Sequence, residues 1–150
     1  MIKQKNDFPK KAAFYFKQGF NCAEGVLMTM QEAWNMEPIT PKLATAFGGG
    51  IGRSGSVCGS VSGGILAINL KYGRSNIDED KSKAYNFANE FIKKFRNEFA
   101  SEICYELIQC DLMDPEDRKK LVELNILQEK CIKFVMKTVE ILLEISESVE

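Results

Sequence analysis

Five cysteines and no histidine define the chemistry open to this chain of 150 residues. Without histidine there is no Ser–His or Cys–His pair, no imidazole metal ligand and no covalent haem through Cys-x-x-Cys-His. Any reaction must use thiols, carboxylates, lysines, tyrosines or a borrowed cofactor. Thiolates suit iron and zinc, and a thiolate of low pKa can also attack a disulfide. Cys22, Cys58, Cys104, Cys110 and Cys131 follow no ferredoxin run, zinc ribbon or Cys-x-x-Cys spacing, so any joint site has to be assembled by the fold.

The elements that would position these thiols are helical. Asp7 is read as the cap of a first helix that stops at Gly19, and Asn21 with Glu24 as a capping box opening a second. Val26, Leu27, Met30 and Trp34 recur at three- and four-residue intervals along that helix. Thr40-Pro41 starts a short helix that ends in the triple glycine. Nine of the eleven glycines fall between Phe47 and Gly73. There, Gly59, Gly63 and Ala67 place three minimal side chains on one stripe of an apolar helix, against which a neighbouring backbone can pack. Asp78 or a neighbour opens a helix with the seam Ala84, Ala88, Phe91, Phe95 and Phe99. Ser101 caps a short helix through Ile108, and Asp114-Pro115 is a strong helix start. A last helix is expected to carry Leu124, Leu127, Cys131, Phe134, Thr138, Ile141 and Ile145 inward and to run to about Ser146. No alternation typical of strands persists. The expectation is all-α, one domain over residues 1–150, with about six to seven helices around a central glycine-rich apolar helix.

On these helices Cys22, Cys58 and Cys104 each fall in a first turn, where unpaired N–H groups and partial positive charge favour a thiolate. Cys131 lies on an apolar stripe. Free cysteine also packs as a small buried hydrophobe, and this plainer reading applies to each position alone. Gly50 to Gly55 satisfies G-x-G-x-x-G, but no strand precedes it, so a dinucleotide site is rejected. The exposed loop with Gly50, Gly52 and Gly55, running on to Gly59, is a candidate cofactor-binding segment, and Arg53 beside it suits an anion. Glu24, close to Cys22, is a candidate general base or cluster neighbour, or simply a helix cap.

Composition bounds the rest. A net charge of −1 and a pI near 5.7 give no electrostatic case for nucleic acid. The first residues lack the apolar core of a signal peptide, and the apolar run from Ile65 is too short to span a bilayer. A cytoplasmic, reducing location is expected, in which five cysteines serve metal binding, redox chemistry or burial. A redox partner is implied without being named, and a homo-oligomer stays open.

Several stretches together resemble a known family. These are Asn21–Glu24 (Asn-Cys-Ala-Glu), Phe47–Gly50 (Phe-Gly-Gly-Gly), Cys58–Gly63 (Cys-Gly-Ser-Val-Ser-Gly), Leu70–Arg74, Cys104–Ile108 with Asp111, and the late Cys131. From about Ala12 to Leu143 the chain is similar to the C_GCAxxG_C_C family of redox-active proteins. The resemblance implies that Cys22, Cys58, Cys104 and Cys131 are the family's four cysteines, with Cys110 an extra. It also marks a departure, because the family has alanine where this chain has Ser60, which adds a hydroxyl near Cys58. A related domain in split-Soret cytochromes is associated with an iron–sulfur centre, and the lack of histidine here leaves no place for those cytochromes' haem. The resemblance implies that these thiols converge on one site, and the leading reading is that they hold a cluster or another metal there. Two alternatives stand beside it: a metal-free thiol–disulfide protein acting through Cys22, Cys58 and Cys104, and an interaction protein with buried cysteines.

Overall fold

The computed structural model describes Lys5 and residues 7–149. The reading of the chain's first residues therefore falls partly outside the described residues. The fold is all-α. Its helices are α1 (Asp7–Gln18), α2 (Cys22–Ala33), α3 (Gly48–Ile51), α4 (Gly59–Tyr72), α5 (Ser82–Phe99), α6 (Cys104–Ile108), α7 (Pro115–Glu123) and α8 (Ile132–Val149). Among the described residues there is no strand, only a lone bridge between Val57 and Ile103, and no helix is long and apolar enough to cross a membrane.

Helix α4 is the centre, packed against α2, α5 and α8. Its small-residue stripe faces α2 at very short range. A Cβ on Gly63 would lie 2.8 Å from Ala23 Cα, and one on Gly59 would collide with Cys22 Sγ. Glycine costs a helix about 1 kcal/mol relative to alanine, and here the close approach of two backbones offsets that cost. On the far side of α4, Gly64 admits the Phe91 ring, whose atoms would stand 3.0 Å from an added Cβ. Phe87, Phe91 and Phe95 of α5 are fully enclosed, and Phe134 of α8 meets Phe95 at a tilt and Phe99 edge to face.

Several boundaries differ from the expected ones. Asp7 is the first residue of α1 and not its cap. The segment after Thr40 forms two tight turns, Pro41–Leu43 and Thr45–Phe47, instead of one helix. The nominal turn α3 is not a right-handed helix, because Gly49 and Gly50 have φ of 64° and 60°. Helix α5 starts at Ser82, where Asp80 accepts the Ser82 N–H at 2.9 Å, later than Asp78 suggests. The long C-terminal stripe is broken. Asn125 has φ of 53°, α7 ends at Glu123, and a π-helical turn at Leu127–Cys131 leads into α8. Leu124, expected inside, is 66% exposed.

Candidate functional site

Four local devices bring the thiols together. Cys22 is the first residue of α2, placed by a complete capping box: the Glu24 N–H donates to Asn21 Oδ1 at 2.9 Å and the Asn21 N–H to Glu24 Oε1 at 3.0 Å. Glu24 is thereby occupied, and its second oxygen accepts from the Thr45 hydroxyl at 2.9 Å. It is a cap, not a free base. Cys58 is itself the N-cap of α4, with Gly59 as the first helical residue, so neither Ser56 nor Gly55 caps this helix.

Cys104 opens α6, and the glycine loop brings it beside Cys58. Gly55 and Ser56 donate back to Gly49 and Gly50, and the Cys104 and Tyr105 N–H groups donate to the Ser56 and Gly55 carbonyls. The Cys58 N–H donates to the Glu102 carbonyl at 2.8 Å, and Glu102 is clamped by both arms of the Arg96 guanidinium. Gly50 is required where it stands: its φ is 60°, and a Cβ there would approach Cys104 Cβ to 2.6 Å. Cys131 arrives from the π-helical turn before α8, not from the middle of a regular helix. Such turns concentrate at functional sites.

Cys22, Cys58, Cys104 and Cys131 line one cavity of about 120 Å³, walled by Phe16, Leu107, Ile108, Leu127 and Phe134. A single water needs on the order of 10–15 Å³ in such a space, so this cavity has room for a group of several atoms. Cys110 is buried but is not one of its lining residues. All five cysteines are free. Of the four candidate glycines, Gly59 lines the cavity, and so does Gly49, which was not among them. Gly50 backs Cys104, Gly55 lies against Tyr105, and Gly52 opens to the exterior.

Burial reverses the expected ionisation. It is the largest influence on every thiol of the cavity. Cys104 and Cys131 are pushed up to about 12 from the ordinary value of 9.0. Cys22 is raised by burial and then by the charges of Cys58, Cys131 and Cys104. Cys58 is raised too, although the backbone N–H groups of Ser60 and Val61 pull the other way. The helix-start donors exist but are outweighed by desolvation. Cys22 is only half-buried by contact with solvent, yet protein closes around its sulfur, so desolvation dominates there as well.

One polar atom in this apolar enclosure lacks a partner. Ser60 Oγ is fully buried on the cavity wall with no acceptor or donor in hydrogen-bond geometry. It stands near enough to Cys58 to favour a thiolate there. Among the described residues, no group of three His, Cys, Asp or Glu side chains is drawn together as for one metal ion. What the site offers is four thiols, soft donors of the kind that suit iron and zinc, around one apolar space, with an orphan hydroxyl beside one of them.

The sequence reading put Leu127 and Phe134 on the inward stripe of Cys131, but it did not place Phe16, Leu107 or Ile108 at the site, because they come from separate stretches with no shared local signal. It also passed over Asn125, whose tolerance of the left-handed region marked the break that frees Cys131 from a regular helix. No curated protein and no solved structure matches the chain. The family model described as Putative redox-active protein (C_GCAxxG_C_C) matches residues 20–145, a stretch that takes in all five cysteines, and the chain belongs to that family.

Proposed function

We propose that the protein is a small electron carrier of a reducing, cytoplasmic compartment, holding an iron–sulfur cluster on Cys22, Cys58, Cys104 and Cys131. The observation that carries this reading is that four thiols from four separate elements line one apolar cavity. The cluster would supply one-electron chemistry, at a potential set by burial, net charge and hydrogen bonds to its sulfurs. The chain's own residues supply the surroundings. Phe16, Leu107, Ile108, Leu127 and Phe134 exclude water. The Ser60 hydroxyl is the donor available at Cys58, and the Ser56 carbonyl at the end of the glycine loop holds the Cys104 N–H. Four thiolates cannot share so dry a space unaided, as the mutual raising of Cys22 by Cys58, Cys131 and Cys104 indicates. A cationic iron core offsets that repulsion.

The metal-free thiol–disulfide reading is less favoured. It needs a thiolate of low pKa, and burial pushes every cavity thiol the other way.

Anaerobic reconstitution with iron and sulfide tests the proposal. The native chain should retain iron and labile sulfide through gel filtration and show charge-transfer absorption bleached by dithionite. Cys58→Ser should lose most of the iron. Retention of neither element by the native chain, or full retention by Cys58→Ser, would remove the cluster assignment.

A further inference from the structure

We propose that a basin beside the thiol cavity receives a small organic anion with an apolar body, its carboxylate or phosphate group held by Arg53 and Arg118. This deepens the redox reading by giving the thiol site a class of partner. Its evidence lies in the basin itself and does not depend on a cluster.

The basin is an open concavity of about 620 Å³, within the range of small-molecule sites. It shares Asn21, Gly49, Leu112 and Leu121 with the thiol cavity, so one wall serves both spaces. Asn21 is also the chain neighbour of Cys22, a half-buried residue whose sulfur faces the thiol cavity. Leu112, Leu121 and Val122 give the basin an apolar side, and Val122 is 75% exposed.

Charge points to the sign of the occupant. Arg53 and Arg118 both line the basin, and among the described residues no Asp or Glu does. The acids nearest Arg118 in the chain are engaged elsewhere. Asp114 caps Glu116 at 3.0 Å, and Asp117 accepts the Asp111 N–H at 2.7 Å and pairs with Lys120 at 3.2 Å. Arg53 is held in the left-handed region with φ of 73°, two residues after Ile51 at 67°. Neither residue type adopts that conformation readily, and such strain gathers at ligand sites. Two guanidinium groups over an apolar wall, neither with an ion pair among the described residues, match an amphipathic organic anion. A flat acidic protein surface would fit a concavity of this size less well.

Paired alkylation of the metal-free, reduced protein reads this directly. Iodoacetate carries a carboxylate, and iodoacetamide is its neutral counterpart. In both, the thiolate sulfur attacks the methylene carbon, an S–C bond forms, and iodide leaves with the electron pair of the broken C–I bond. The thiol proton goes to solvent. Modification at Cys22 and Cys131 is followed by mass spectrometry. The ratio of iodoacetate to iodoacetamide rates should fall on the order of tenfold in Arg53→Gln/Arg118→Gln at low ionic strength. Salt should erase the difference, and Arg53→Lys/Arg118→Lys should restore the ratio. An unchanged ratio in the Gln variant overturns the proposal, as does failure of the Lys variant to restore it. Absence of reaction of either thiol with both reagents also overturns it, since the basin then gives no access. Because the protein is metal-free throughout, failed cluster reconstitution would leave this result readable.

Discussion

At Cys58 two influences oppose each other. The start of α4 offers N–H donors at Ser60 and Val61, and burial withholds the solvation a thiolate needs. Burial wins there and at the other three cavity thiols. The consequence for pH follows from linkage. An unfolded thiol ionises near 9.0, whereas Cys104 and Cys131 keep their protons to about 12 in the folded chain. Between those values the native state binds more protons, so the stability these thiols contribute is whole below pH 9 and is lost as pH rises toward 12. The metal-free, reduced protein should show a melting temperature that falls steadily from pH 9 to pH 11, and Cys131→Ala should flatten the decline. Metal uptake has the opposite sign. Binding displaces protons from the thiols, so apparent affinity should climb with pH over the range below 9. Ser60 gives a second test at this scale. Its hydroxyl is buried without a partner, so Ser60→Ala should stabilise the metal-free protein by about 1 kcal/mol, within the cost of an unsatisfied buried group. In protein loaded with iron and sulfide that gain should vanish or reverse, because the hydroxyl then has sulfur to donate to. Equal effects in the two states, compared by denaturant titration, would show that Ser60 does not interact with the bound group.

The glycines of α4 act at the scale of the element. Gly63 lies against the Ala23 backbone, and backbone cannot step aside as a flexible side chain can. Gly63→Leu should therefore destabilise the fold by roughly 1–3 kcal/mol or more through overpacking. An unchanged melting temperature would mean that α2 and α4 do not pack so closely in solution. This stripe was legible in the sequence because it is periodic within one helix. So was the capping box at Asn21 and Glu24, since both partners sit three residues apart. The features that escaped are those decided at a distance. A first-turn position suggested a stabilised thiolate at Cys104, yet its ionisation is governed by side chains from other elements. The stripe from Leu124 to Ile145 has helical spacing throughout, but spacing does not register a single left-handed residue. Asn125 supplies that residue, and the chain beyond it re-enters through a π-helical turn that puts Cys131 on the cavity wall.

Across the whole molecule, the four cavity thiols divide unequally between firm and loose parts. Cys22 and Cys58 stand at the α2–α4 contact, where backbones meet and the core is fully enclosed. Cys131 follows a stretch of another kind. Helix α7 buries none of its residues, the π-helical turn buries none either, and Val122 and Leu124 are largely exposed. Segments with so few buried apolar contacts open locally at a small fraction of the global unfolding free energy. What α7 does contribute inward is Leu121, which faces the cavity beside Leu112 and Leu127. A group filling that cavity gives Leu121 something to pack on and ties Cys131 to Cys22 and Cys58, so the loose segment should tighten as the site is loaded. Hydrogen exchange separates this from a general stabilisation. In the metal-free protein, the amides of α7 after Pro115 and those of Leu127–Cys131 should exchange much faster than those of α2 and α4. Loading with iron and sulfide should slow the former group by about tenfold or more, as binding confined to the closed form requires once the bound group is well above its dissociation constant. A uniform slowing over all helices would mean that the bound group stabilises the fold without closing α7. No slowing at Leu127–Cys131 would take Cys131 out of the ligand set and leave the site to three thiols.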